Sequence, residues 1–182
     1  MRTLLTMMAI TLLAGCSDMR IEQFRDARPQ LRLEQYFDGR VLAWGWFEDR
    51  FGQVRRQFFV EIDGQWDGRE LVLDEAFSYS DGETDRRVWI ITPDGAGGYS
   101  GRAEDIVGTA RSETAGNALN WRYRMDLKVG DSHWRVSFDD WMLLQGDGVL
   151  LNRARVSKWG LTVGEVNLFF LKPGDAAERI RF

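Results

Sequence analysis

Pairs of aspartate followed by glycine recur along this chain and constrain its fold more than any other feature. They stand at positions 38–39, 63–64, 67–68, 81–82, 94–95 and 147–148. Both residue types tolerate the positive φ angles of type I′ turns, so Asp-Gly between apolar runs is a strong signal for a β-hairpin. The pairs therefore predict many short antiparallel strands and little helix.

The segments between these turns alternate between apolar and polar residues, with the period of two that a half-buried strand has. Leu119, Trp121, Tyr123 and Met125, for example, are separated by polar residues. We expect about nine or ten such strands between residues 40 and 171. Sequential antiparallel strands expose their outer edges unless the sheet closes on itself. The chain is therefore predicted to be all-β, an antiparallel up-and-down, lipocalin-like β-barrel.

Two other all-β arrangements fit the pattern less well. A β-sandwich needs longer crossovers than these short turns provide. A transmembrane barrel needs a continuous apolar outer band, and charged residues on the predicted strands interrupt any such band.

The beginning of the chain has the pattern of an export signal that ends at the only cysteine. Arg2 precedes an apolar run, residues 4–14, which is too short to span a bilayer. Leu13-Ala14-Gly15-Cys16 resembles the lipobox of bacterial lipoproteins, which implies cleavage before Cys16 and lipid attachment to it. Several acyl chains anchor a protein almost permanently, so the membrane is a predicted partner. The serine that follows favours the periplasmic face of the outer membrane in the sorting scheme that this signal resembles.

We divide the chain into four parts on this basis. Residues 1–15 are the predicted lipoprotein signal peptide, 16–30 a lipidated polar tether, 31–172 one barrel domain, and 173–182 a C-terminal tail. At the start of the domain, residues 31–37 are expected to form a short helical turn, with Leu33, Tyr36 and Phe37 packed inward.

The composition excludes several classes of function. The formal net charge is −4, from 24 Lys and Arg against 28 Asp and Glu, and no clustered basic face suggests nucleic-acid binding. With Cys16 lipidated and His133 the only histidine, we expect no disulfide, metal site, cofactor or nucleophilic catalytic set.

Two adjacent carboxylates, Asp139 and Asp140, must point to opposite faces of a regular strand. One of them would then lie inside a barrel, where burial raises a carboxyl pKa. The alternative is a strand end where the carboxylate pairs with an arginine. A lipid-acting enzyme with one of these residues as base is the least favoured hypothesis, because no acid or oxyanion donor accompanies it.

Arginines on the predicted strands are the best lead to a binding site. Arg87 shares a strand face with Trp89. Arg153 likewise shares a face with Leu151. Facing inward, either guanidinium would suit an acidic ligand head group, whereas on the outside its stem would only cover apolar surface. The candidate ligand contacts are Arg87, Trp89, Trp121, Asp139, Trp141, Asn152 and Arg153.

Several short runs together resemble a known family. They are Tyr36-Phe37-Asp38-Gly39, Ala43-Trp44-Gly45, Arg86-Arg87-Val88-Trp89, Gly116-Asn117-Ala118-Leu119-Asn120-Trp121-Arg122-Tyr123, Phe138-Asp139-Asp140-Trp141-Met142, Leu151-Asn152-Arg153-Ala154 and Ser157-Lys158-Trp159-Gly160. In this order they resemble DUF3833, a family of proteobacterial lipoproteins of unknown function, from about residue 31 to residue 171. The resemblance implies a lipoprotein that faces the periplasm, and it supplies no catalytic residues.

These observations favour a barrel that binds an apolar ligand, a fatty acid or lipid, with one or two arginines orienting its head group. The alternative is an envelope protein that binds no ligand and presents its outer surface to a protein partner. The eight tryptophans and eleven phenylalanines do not separate the two, because aromatic residues line ligand cavities and also fill solid cores.

Overall fold

The computed structural model describes residues 19–129 and 132–174, and in this part of the chain nearly all regular structure is β-strand. The elements are a 3-10 helix Ile21–Phe24, α1 Leu33–Tyr36, β1 Gly39–Asp49, β2 Val54–Trp66, β3 Leu71–Tyr79, β4 Thr84–Pro93, β5 Tyr99–Arg102, β6 Ala110–Ala115, β7 Ala118–Val129, β8 Ser132–Leu144, β9 Leu150–Lys158 and β10 Leu161–Leu171. The predicted signal peptide, Cys16 and most of the predicted tail lie outside the described residues. Among the residues described, no helix is long and apolar enough to cross a bilayer.

The ten strands form one closed antiparallel sheet. Each strand pairs with the next along the chain, and β10 returns to pair with β1. That last pairing runs from Leu42 opposite Leu171 to Asp49 opposite Gly164. Closure pairs the first strand with the last, so neither is left as a free edge. The prediction of an all-β, antiparallel up-and-down barrel is confirmed.

The Asp-Gly pairs form turns at most of the predicted places. Gly68, Gly82, Gly95 and Gly148 lie in connections between strands and have φ angles from 76° to 93°. The pair at 63–64 differs, because both of its residues lie within β2. A Cβ on Gly64 would stand 1.7 Å from the carbonyl oxygen of Phe37, so this glycine makes room for the segment that enters β1.

One end of the barrel is filled by the segment around α1. Leu31, Leu33, Tyr36 and Phe37 are all buried there. The Tyr36 hydroxyl lies 3.0 Å from the backbone oxygens of Gly148 and Phe170, which ties the helix to two neighbouring parts of the barrel. We call this the closed end. The predicted helical turn and its inward-packed residues are confirmed.

The other end is open, and we call it the mouth. It is surrounded by the connections β1–β2, β3–β4, β5–β6, β7–β8 and β9–β10. Inward-facing aromatic side chains near the mouth are only half-buried, whereas most inward-facing side chains near the closed end are buried, with Trp66 and Met142 as partly buried exceptions. The half-buried ones are Phe47, Phe58, Phe77, Tyr123 and Phe138. The barrel is therefore more tightly filled in one half than in the other.

The described part of the predicted tether, residues 19–30, contacts the outside of the barrel. The 3-10 helix packs on β6 and β7. Phe24 stands 6.0 Å from Trp141, measured between ring centroids. At the end of the segment, the backbone N–H of Leu31 donates to the oxygen of Gly116 at 2.8 Å.

Candidate functional site

Six polar side chains meet inside the barrel, at the base of the mouth. Five of them stand at inward positions of strands, because successive side chains alternate between the two faces of a sheet. We call this set the interior polar cluster. It consists of Glu75 on β3, Arg87 on β4, Asp105 in the β5–β6 connection, Tyr123 on β7, Asp140 on β8 and Asn152 on β9.

Arg87 is the only cation in this cluster, and two carboxylates of the protein hold it. Its Nε and Nη2 donate to Asp105 Oδ2 at 2.9 and 2.7 Å. Its Nη1 lies 3.8 Å from Glu75 Oε2, directly across the β3–β4 pairing. Burial lowers the pKa of Arg87, but the two carboxylates outweigh this and leave the pKa above its ordinary value. The guanidinium therefore stays charged and is already neutralised.

The Arg87–Asp105 pair also joins two parts of the barrel wall. Strand β5 is short, so β4 has a β-sheet partner on that side only over residues 90–93. The β5–β6 connection runs along β7 instead: Asp126 N–H donates to the Asp105 oxygen at 2.9 Å. The ion pair links this connection to the part of β4 that lacks a strand partner. Arg87 thus has a structural role that explains its position without a ligand.

Glu75 is a buried carboxyl that titrates near neutrality. Burial raises its pKa to about 7. Arg87 opposes this rise, while the negative charges of Asp105 and Asp140 add to it. Asp140 acts on Glu75 from β8, five strands away around the barrel, so the cluster is electrostatically connected across the interior.

Asp140 is the second buried carboxyl, and no cation of the described residues is paired with it. Burial raises its pKa to about 6, although hydrogen bonds from Asn152 and Tyr123 favour the charged form. The Asn152 amide donates to Asp140 Oδ1, and its second contact is the Trp141 oxygen at 3.1 Å. The Tyr123 hydroxyl lies 3.4 Å from Asp140 Oδ2, and burial raises the pKa of that hydroxyl well above 10. With one cation for three carboxylates, the cluster is acidic.

Aromatic rings pack beside the cluster and form part of its wall. Trp89 and Trp121 stack with ring centroids 6.2 Å apart, and Trp89 meets Tyr123 edge-on at 5.6 Å. Tyr123 also stacks on Phe138 at 4.9 Å. A Cβ on Gly101 would lie 3.1 Å from Trp121 and 3.4 Å from Trp89, so the absence of a side chain there admits both indoles.

The structure brings four of the sequence-predicted contacts to the interior: Arg87, Trp89, Trp121 and Asn152. Three others lie on the outside, and their inward placement is wrong. On β8 the inward side chains are Val136, Phe138 and Asp140, which turns Asp139 and Trp141 outward. The inward carboxylate is thus Asp140, while Asp139 accepts a hydrogen bond from Asn120 at 2.7 Å.

Trp141 and Arg153 also face outward, because they follow the inward residues Asp140 and Asn152 and successive side chains of a strand point to opposite faces. Trp141 is nevertheless buried, because Phe24 of the N-terminal segment covers it. Arg153 is exposed beside Leu151, which is 44% exposed, and its neighbour Asn152 takes the inward position.

Sequence reasoning missed Glu75, Asp105, Tyr123 and Asp140 as members of one site. Glu75 carried a usable signal, since it interrupts the apolar face of Leu71, Leu73 and Phe77 at an inward position. Asp105 carried none, because it lies in a connection whose course is set by tertiary contacts.

Two depressions lie elsewhere on the described surface. One, of about 210 Å³, lies at the closed end between Tyr36 and the β8–β9 connection. The other, of about 530 Å³, lies along β7 and β8 beside residues 107–109 and includes Arg122 and Asp139. Among the described residues, no group of three or more His, Cys, Asp or Glu side chains is arranged to hold a metal ion.

Fold and site together define a closed ten-stranded up-and-down β-barrel with an acidic polar cluster beneath an aromatic mouth. The chain belongs to the DUF3833 family, described as a protein of unknown function, whose family model matches residues 10–172. No curated protein matches the chain.

Proposed function

We propose that this protein is a lipid-anchored barrel of the bacterial cell envelope that binds an apolar ligand, such as a lipid, through its mouth. The observation that carries the proposal is the half-buried state of aromatic side chains that face inward. Exposure of apolar side chains to water is unfavourable, and an apolar chain in the mouth would bury four of them. They are Phe47, Phe58, Phe77 and Phe138.

The charge of the interior polar cluster limits the polar end of the ligand. Arg87 is neutralised by Glu75 and Asp105, so an acidic head group would meet repulsion from Asp140 rather than a free cation. A hydroxyl, ester or amide group could instead exchange hydrogen bonds with Asp140, Tyr123 and Asn152. The ligand is therefore an apolar molecule with an uncharged polar end. This differs from the fatty-acid head group that the sequence suggested for Arg87.

The membrane anchor is part of the proposal and rests on the sequence. The lipobox-like run that ends at Cys16 supports lipid attachment there, and a barrel held at the periplasmic face of the outer membrane would have lipids within reach. An apolar ligand of low solubility is delivered more easily to a site that is tethered to its source.

The test is native mass spectrometry of the full chain purified in mild detergent, followed by organic extraction and identification of bound molecules. We expect a lipid with an uncharged polar end at near one-to-one stoichiometry. Asp140→Ala removes a charged hydrogen-bond partner inside the mouth and should weaken retention about tenfold. Asp139→Ala is the matched control, because the adjacent side chain faces outward and its loss should leave retention unchanged.

Two results would contradict the proposal. One is wild-type protein that carries no lipid after extraction and takes up none from added vesicles. The other is an equal loss of lipid in the two aspartate variants, since this would place the ligand outside the barrel.

A further inference from the structure

Exposed apolar side chains gather on one side of the mouth. Trp159 is 90% exposed, Phe51 is 72% exposed and Leu161 is 67% exposed. Trp134 and Leu127, which stand opposite each other on β8 and β7, are also exposed. The five come from the β1–β2, β9–β10 and β7–β8 hairpins, which are consecutive around the barrel. We call them the rim patch.

Contacts show that the rim patch is continuous. Leu161 pairs directly with Lys158 across the β9–β10 hairpin. The Lys158 ammonium stands 3.6 Å from the Trp134 ring centroid and 4.7 Å from that of Trp159. On the other side, the backbone N–H of Arg50, next to Phe51, donates to the Val163 oxygen at 3.1 Å. The apolar side chains therefore stand on three hairpins that contact one another, rather than as scattered single residues.

Trp159 is presented outward by an unfavourable backbone conformation. Its φ is 53°, and Gly160 after it has φ 81°, as in the two-residue turns that suit Asn-Gly. Among the described residues, Trp159 is the one non-glycine with a positive φ. A large side chain in the left-handed region is uncommon in proteins. An exposed indole held in this conformation indicates that Trp159 contacts another molecule.

Two basic side chains contact the described rings of the rim patch, although the whole chain has a net charge of −4. In the described part of the chain, Arg50 and Lys158 contact aromatic rings and have no acidic partner. Of the described acidic residues near the patch, Asp49 pairs with Arg55, Asp126 pairs with Arg135, and Glu48 accepts a hydrogen bond from the Trp46 indole. Across the mouth, the β3–β4 hairpin carries Asp81, Glu83 and Asp85, and the single cation Arg56 pairs with the first two, which leaves an excess of negative charge. The mouth thus has an aromatic, basic side and an acidic side.

We propose that the rim patch docks the mouth of the barrel onto an anionic lipid surface. Tryptophan and phenylalanine settle at the boundary between head groups and acyl chains, and neighbouring lysine and arginine side chains reach the lipid phosphates. Charge complementarity favours a bilayer that contains anionic lipid, because Lys158 and Arg50 would meet phosphates while the acidic side stays in water. Docking of this kind does not depend on whether the barrel holds a ligand.

Quenching of tryptophan fluorescence by brominated acyl chains tests the proposal, with the full chain reconstituted in vesicles of phosphatidylglycerol and phosphatidylcholine. We expect quenching of the wild-type protein and loss of a large part of it in Trp159→Phe. Trp46→Phe is the matched control, because Trp46 is exposed on the outer wall at β1 and should contribute little quenching. Residues 1–18 contain no tryptophan, so the predicted signal and anchor add no signal of their own.

The charge requirement is tested with the same vesicles. Replacing phosphatidylglycerol by phosphatidylcholine, or Lys158 by Gln, should reduce the part of the quenching that depends on Trp159. Quenching that is lost in Trp46→Phe but kept in Trp159→Phe would overturn the proposal. So would full exposure of Trp159 to an aqueous quencher in anionic vesicles, a result that would instead favour a protein partner for this surface.

Discussion

At the scale of single residues, the members of the interior polar cluster have two different roles, one in holding the barrel wall together and one in the proposed ligand binding. Glu75 and Asp105 hold Arg87 in place and complete the wall beside β4. Asp140 is different, because its side-chain donors among the described residues are the Asn152 amide and the Tyr123 hydroxyl, and neither is a cation. A buried carboxyl without a cation is costly to ionise, and natural sequences keep such groups most often where they act on something else.

The raised pKa values predict a pH dependence of stability with a definite sign. The pKa of Glu75 is about 7 in the folded protein against 4.5 for the ordinary group. The folded state therefore binds this proton more tightly than the unfolded state, so the free energy of unfolding falls as pH rises from about 4.5 to 7. In Glu75→Gln the fall should be smaller, by on the order of 2 kcal/mol. Urea unfolding at several pH values from 4.5 to 8 measures it.

The neighbouring outward carboxylate supplies the control for this titration. Arg86 lowers the pKa of Asp74, so Asp74 contributes stability that is present above its unfolded pKa and lost only in more acidic solution. Asp74→Asn should therefore leave the slope between pH 4.5 and 8 unchanged. Equal slopes for the wild type and Glu75→Gln would show that Glu75 is not protonated in this range.

At the scale of elements, α1 is a helix whose formation depends on packing against the barrel. Four residues are far too few for a helix that is stable by itself in water. Leu33 and Tyr36 are buried in the closed end, and the Leu33 N–H donates to the Tyr99 hydroxyl at 3.1 Å. The helix is therefore stabilised by its packing in the closed end of the barrel rather than by the helix propensity of its residues.

Removal of the most deeply buried side chain of α1 should loosen the closed end. Leu33 is 1% exposed, so Leu33→Ala is expected to lower the free energy of unfolding by about 3 kcal/mol through lost burial and a residual cavity. Gln35→Ala, on the exposed side of the same helix, should change it by less than about 0.5 kcal/mol. Chemical unfolding of both variants measures the difference. Similar small effects would mean that the helix is not part of the cooperative fold.

At the scale of the whole molecule, stability depends on closure of the sheet between its first and last strands. The pairing of β1 with β10 covers eight residue pairs, from Leu42 to Asp49 on β1. Without it, both β1 and β10 would present unpaired backbone groups, and the aromatic interior would open to water. Long unpaired strands of this kind favour association between chains.

A truncation tests the contribution of closure. A chain that stops after residue 160 lacks β10 and should accumulate in the insoluble fraction. A chain that stops after residue 172 lacks only the predicted tail and should stay soluble, with an unchanged near-ultraviolet circular dichroism spectrum. If the shorter chain also folded, the barrel would not depend on its β1–β10 contact.

The local properties of this protein follow from residues that are close together in the chain. Alternation and Asp-Gly turns specify the strands and their order, because both depend on residues close in the chain. Tertiary structure alone decided which polar residues meet. Asp105 reaches Arg87 through an irregular connection, and the register of β8 selects Asp140 over Asp139 for the interior. A shift of one residue would exchange the two faces, and only packing across the closed barrel sets that register.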